Sequence, residues 1–195
     1  MKVAYEGFEA KRSSSFTQLP PVGAYIGEIQ AVKVEEDFDK TREVLVLMLE
    51  ITEGEYKNRY HEVLKEQQEK FGGNVKYKGS IRIKIPKNDD PDDLQWIRGK
   101  FSDQICCVQE SNDGYTWDWD ENKLVGKAVG FSVRESIYTG NDGSEKHTTE
   151  IGQLVSIPDI KNGKVRPMKA RDSRRSGTNV SDKATNVTGK VEVPF

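Results

Sequence analysis

A chain of 195 residues with 34% hydrophobic and 32% charged content can build one compact domain with tails, and is too polar for two independent cores. A net charge of −2 argues against a protein uniformly attracted to nucleic acid. No stretch approaches the roughly 18 apolar residues of a membrane span, and Met1 to Arg12 has no apolar signal core, so a cytoplasmic location is expected.

Local charge is less even than the sum. From Val75 to Lys87 there are five cations and no acid, and Lys161 to Arg175 is a second basic run. Acids gather at Glu35 to Asp39, Asp89 to Asp93 and Asp118 to Glu121. Cys106 and Cys107 are adjacent, which strains a bond between them and gives no metal-ligand spacing; both are expected to be reduced, one of them in the core.

In chain order, residues 1–18 lack periodicity and read as an N-terminal arm, ended by Leu19-Pro20-Pro21. Gly23 to Val34 reads as a strand whose apolar phase moves from odd positions (Tyr25, Ile29, Ala31) to even ones (Val32, Val34). That slip predicts a bulge, with Gly27 available for the bend. After the turn Glu35 to Thr41, Val44 to Ile51 is apolar on both faces except at Glu50 and predicts a buried strand paired with the first as a hairpin. Tyr56 to Leu64 is expected to form a third strand. Beyond the polar stretch Lys65 to Lys78, Ile81, Ile83 and Ile85 alternate with Arg82 and Lys84, so a strand or an extension of the third strand is expected, with isoleucines inward and cations outward.

A helix is predicted to start near Asp90, with Pro91 at its first position and Asp92 and Asp93 in its first turn. Leu94, Ile97, Phe101, Ile105 and Val108 form its apolar stripe, and it should end before Ser111-Asn112-Asp113-Gly114. Lys127 to Glu135 and about Thr148 to Ile157 predict two further strands, joined through Thr139-Gly140-Asn141-Asp142-Gly143. Residues 173–195 have few apolar positions and are expected to be a disordered tail.

The order strand, strand, strand, helix, strand, strand is that of a five-stranded OB barrel. The fold expected for residues 19–172 is therefore mainly β, an OB-fold barrel with a single helix. A different open barrel or an α+β sandwich would satisfy the same order.

Gly23-Ala24-Tyr25, Glu53-Gly54-Glu55-Tyr56-Lys57, Glu110-Ser111-Asn112-Asp113-Gly114-Tyr115 with Trp117 and Trp119, Leu124-Val125-Gly126-Lys127 and Tyr138-Thr139-Gly140-Asn141-Asp142-Gly143 occur in one chain in this order. Together they resemble a family of small bacteriophage and prophage proteins from Gram-positive hosts, treated as OB-fold single-stranded DNA-binding proteins of phage replication and recombination. The resemblance implies the barrel and single-stranded DNA as its ligand.

Binding of single strands without sequence preference needs cations along the phosphates and flat rings under the bases. The candidate DNA-binding residues are Tyr56, Lys57, Arg59 and Tyr60; Lys76, Tyr77, Lys78, Arg82 and Lys84; Tyr138 and Lys146; and Lys40 and Arg42 in the loop between the first two strands. Tyr115, Trp117 and Trp119 have a period of two, but the interleaved Asp118 and Asp120 favour packing over stacking. The terminal Pro194-Phe195 invites comparison with the partner-docking tips of single-stranded DNA-binding proteins, although acids are nearly absent before it. His61 and His147 stand in no catalytic or metal spacing, and no phosphate-binding loop occurs, so neither an enzyme nor a cofactor is expected. The alternative is a protein-interaction adaptor of phage replication with no DNA binding of its own. The polynucleotide path depends on the cations beside Ile81, Ile83 and Ile85 lining up next to exposed rings, and it is lost if neighbouring carboxylates neutralise them.

Overall fold

A computed structural model describes residues 18–73, 75–91 and 94–174. The elements are β1 (Gly23–Glu36), β2 (Glu43–Ile51), α1 (Arg59–Phe71), β3 (Ser80–Lys84), α2 (Trp96–Glu110), β4 (Ala128–Thr139), β5 (Glu145–Val155), α3 (Ile157–Lys161) and β6 (Arg171–Asp172). The protein is mainly β, with one sheet ordered β3-β2-β1-β4-β5 and the short β6 running parallel to β4. The other pairings are antiparallel. Among the described residues no ladder joins β3 to β5, so the sheet is not closed into a barrel. The sheet has six strands where five were expected, and the described residues hold three α-helices rather than one. The expected arm apart from Gln18, and the expected tail beyond Arg174, lie outside the described residues.

β1 does carry a bulge, but it lies just before the step from Ala31 to Val32 at which the apolar phase slips. Ile29 pairs with Leu49 and Ala31 with Met48, leaving Gln30 as the extra residue. Gly27 does not supply that bend. A Cβ there would collide with the Glu50 carbonyl oxygen and stand 2.7 Å from the Phe131 ring, so glycine lets the β1 backbone approach β2 and the core. A second slip, between Ser132 and Val133 of β4, leaves Gly152 as the extra residue on β5.

Ile29, Leu45, Leu47, Leu49, Ile51, Ile81, Ile83, Val129, Phe131, Val133, Ile151 and Leu154 form the sheet side of the core. Phe101, Ile105 and Val108 of α2 pack onto it, and α2 contacts β3, β4 and β5 together. Val44 and Val46 are buried as well, so β2 is covered on both faces as its sequence implies.

Two predicted elements are corrected. The third strand over Tyr56 to Leu64 is a turn followed by α1. The local cap is poor, because Asn58 lies at φ 61 and gives no side-chain hydrogen bond. The cap comes from β2 instead: the buried Glu50 carboxylate accepts the N–H of Tyr60 at 3.2 Å and of His61 at 2.7 Å. The second correction is the start of α2, at Trp96 rather than near Asp90. The Asp90 carboxylate is committed to the Arg42 guanidinium and to the Lys87 N–H at 2.8 Å; Asp92 and Asp93, expected in the first turn, lie outside the described residues. The stripe of Ile97, Phe101, Ile105 and Val108 and the end at Glu110 agree with the sequence.

Both thiols are free, Cys106 exposed and Cys107 half-buried. Burial pushes the Cys107 thiol up to about 11. No helix among the described residues is long and apolar enough to cross a membrane. No group of three or more His, Cys, Asp or Glu among them is placed to hold a metal ion.

Candidate nucleic-acid interface

Alternation along β3 buries Ile81 and Ile83 and turns Arg82 and Lys84 outward, with Ile85 partly buried after them. By register, Val46 lies between Lys33 and Arg82, and Val44 between Glu35 and Lys84. Long charged side chains therefore span the middle strand, their stems covering its buried valines. Arg82 Nη1 meets Glu35 Oε2 at 2.6 Å and Lys84 Nζ meets Asp37 Oδ2 at 3.0 Å. Hydrogen bonds from Lys33 and Arg82 hold the Glu35 carboxyl below its ordinary range, and bonds from the Phe38 N–H and Lys84 do the same for Asp37. The cations expected to form a free track on β3 are thus neutralised by neighbours in the unliganded protein. This corrects the sequence reading, which required them unpaired.

The same ion pairs fold the β1–β2 turn across the outer face of β3. At its tip Lys40 takes a left-handed φ of 54 with its side chain exposed, and Phe38 beside it is fully exposed. A bare ring at the tip of this turn is a feature the sequence reading missed. The signal was a lone Phe38 inside an acidic turn, with no apolar neighbour to pack against.

Between β3 and β5 runs a groove of about 440 Å³. Arg82, Lys84, Lys100 and Arg134 line it against the single acid Asp103, and the half-exposed Trp96 stands at its wall under Lys100, whose Nζ lies 4.9 Å from the ring centroid. Arg134 is paired with Glu150 at 2.8 Å. Lys100 forms no ion pair with any described residue. Trp96, Lys100 and Arg134 also escaped the sequence reading. The first two stand one helical turn apart on the polar side of α2, a spacing that marks one helix face without saying what it faces.

The other candidates divide. Arg42 is buried in its pair with Asp90 and also donates to the Ile85 carbonyl at 3.0 Å, so it leaves the DNA-binding set. Tyr60 is buried in the core and leaves it too. Tyr77 is half-buried and donates to the Leu49 carbonyl at 2.9 Å. Tyr56 packs edge-on to Tyr25 at 5.9 Å, with the Arg59 guanidinium 5.2 Å from its ring and Arg59 also 3.3 Å from Glu62. Tyr60 and Tyr77 are 6.1 Å apart, so the first two predicted clusters meet around Glu50, but as a structural knot with Lys57, Lys76 and Lys78 exposed at its edge. Tyr138 and Lys146 face each other across the β4–β5 hairpin, Tyr138 exposed and Lys146 paired with Asp142 at 3.2 Å. Pro194 and Phe195 lie outside the described residues.

Tyr115 and Trp117 pack against the core, as the interleaved acids suggest, whereas Trp119 is exposed. No protein-family model and no curated protein matches this chain.

Proposed function

We propose that the protein binds single-stranded DNA without sequence preference, on an OB-type barrel left open between its third and fifth strands. The strand order β3-β2-β1-β4-β5, with a helix between the third and fourth strands packed under the sheet, supports that topology. The observation that carries the ligand is the groove at the open seam, where Lys100, without an ion pair to any described residue, stands over Trp96 beside the paired cations Arg82, Lys84 and Arg134. In an OB fold, strands two and three and the loops joining strands one to two and four to five form the ligand face, which here holds Arg82, Lys84, Phe38, Lys40 and Tyr138.

Pairing with Glu35 and Asp37 removes the free track expected along β3, so the proposal rests on the groove and on displacement of these acids. Glu35 and Asp37 sit at the solvent boundary, and an ion pair facing water is weak because water and salt screen it. Phosphate can replace them, so the internal acids act as competitors that a polynucleotide displaces. Affinity is then modest at physiological salt and falls steeply as salt rises, since each neutralised phosphate releases counterion. The role is binding rather than catalysis, and a setting in phage replication or recombination rests on the resemblance alone.

Fluorescence polarisation with labelled oligo-dT at two salt concentrations tests the proposal. Binding at low salt that weakens at high salt is the expected result, and no binding at low salt removes it. The adaptor reading draws on a different surface, the one bearing Trp119.

A further inference from the structure

The flank of α2 opposite the basic groove carries a second cavity. It holds about 460 Å³, and Phe101, Ile105, Trp117 and Trp119 wall it with Lys87 and Arg98. The helix makes the separation: Trp96, Lys100 and Asp103 line the first groove, while Arg98, Ser102 and Cys106 line this one. Around the same aromatic wall a smaller cavity of about 180 Å³ continues past Phe101, Trp117 and Trp119 to Val34, Ile85, Glu43 and Glu121. The whole is an elongated groove, cationic at one end, aromatic in the middle and acidic at the other.

Three observations mark this groove as a binding surface. Trp119 lies at φ 69, a conformation that a bulky side chain reaches only against strain, and the strain keeps its ring 63% exposed while it stacks on the core ring of Phe101 at 5.6 Å and 8°. Trp117, which lines the same groove, has its indole N–H buried with no acceptor among the described residues. Arg98 is exposed and forms no ion pair with any described residue.

We infer that this groove docks a protein segment in extended form, with a large apolar side chain against Trp119 and a carboxylate on the Arg98 side. The charge layout chooses this occupant over a polynucleotide. A nucleic acid carries the same charge along its length and would meet Glu43 and Glu121 at the far end, with Asp118 and Asp120 beside Trp119. A peptide that is acidic at one end and neutral or basic at the other matches both ends. The protein would then hold DNA on one flank of α2 and a partner on the other. This inference is independent of the DNA-binding proposal, because the two lining sets share only Phe101.

The test uses the full chain and two fluorescein-labelled peptides, Gly-Glu-Asp-Phe-Leu-Ser-Lys-Gly and the same sequence reversed. One of the two should bind saturably by polarisation. Affinity should fall at least about tenfold, or about 1.4 kcal/mol, when Phe-Leu becomes Ser-Ser, when Glu-Asp becomes Lys-Lys, and in Arg98→Glu and Trp119→Gly variants. Arg98 and Trp119 are both exposed, and glycine suits the left-handed backbone at 119, so both variants should fold, as circular dichroism would check. The inference is overturned if neither peptide binds, if both variants bind as the parent does, or if oligo-dT displaces the peptide in proportion to its own binding. Loss of oligo-dT binding with peptide binding retained would overturn the DNA proposal alone.

Discussion

The Glu50 carboxylate of β2 accepts the N–H of His61 at 2.7 Å and also contacts the His61 ring, so a buried acid on a strand caps a helix that lacks a cap of its own. The same carboxylate takes the Tyr60 N–H at 3.2 Å and the Tyr77 hydroxyl at 3.2 Å, joining β2, α1 and the segment before β3. Glu50→Ala leaves the Tyr60 and His61 N–H groups without this acceptor, while the Tyr77 hydroxyl keeps the Leu49 carbonyl. It should destabilise the protein by roughly 2–3 kcal/mol, read as a lower midpoint in urea unfolding. Glu50→Gln keeps one acceptor oxygen and should cost less; equal loss in both variants would show that packing, not capping, is the role of this residue.

The Arg42–Asp90 pair ties the β1–β2 turn to the loop before α2, with both side chains almost inaccessible to solvent. Hydrogen bonds from Arg42, and then from the Lys87 N–H, lower the Asp90 pKa from 3.8 to about 2. The folded value lies below the unfolded one. The stabilisation is therefore complete above about 3.8 and is lost as pH falls toward about 2. Thermal midpoints measured across that window should fall more steeply for the wild type than for Asp90→Asn, whose midpoint should already be lower at pH 7. Parallel curves would mean that other carboxylates govern acid unfolding.

What could be read in the chain, and what could not, follows the range of each interaction. The alternation at Ile81 and Ile83 and the stripe from Ile97 to Val108 are local patterns set by burial, and they appear where expected; the bulge of β1 is also present, but at Gln30, just before the Ala31–Val32 step where the phase slips. The helix α1 was misread because its cap, Glu50, stands ten residues before Tyr60 and its inward face buries only Tyr60 and Val63. Asp90 was misread for the same kind of reason. Its position fits a helix start, but Arg42, forty-eight residues away, claims its carboxylate. The candidate interface suffered most, because pairing with Glu35 and Asp37 depends on where a turn folds back, and alternation says only that Arg82 and Lys84 point outward.

Glu35 receives both Lys33 and Arg82, so removing its charge should release two cations toward an incoming strand. Glu35→Gln is expected to tighten oligo-dT binding by a few-fold at low salt and to steepen the salt dependence by about one counterion or more. Arg82→Ala should weaken binding and flatten that dependence. If Glu35→Gln leaves affinity unchanged while Arg82→Ala weakens it, Arg82 already contacts DNA without leaving Glu35, and the competition between carboxylate and phosphate is wrong.

Phe38 separates stacking from charge. Its ring is fully exposed at the tip of the β1–β2 turn, so Phe38→Ala should change stability by less than about 0.5 kcal/mol. A base stacked on an aromatic side chain is worth about 1–3 kcal/mol, so the same substitution should lower oligo-dT affinity by roughly five- to 150-fold. Its salt dependence should stay that of the parent, since no cation is lost. Lys100→Ala should show the reverse pattern, a smaller loss of affinity and a slope flatter by about one. Trp96, beneath Lys100, supplies the optical check: its emission should be quenched by oligo-dT, and Trp96→Phe should remove most of the quench while Trp117 and Trp119 remain. A quench that survives Trp96→Phe would place the strand elsewhere on the protein and take the seam between β3 and β5 out of the DNA path.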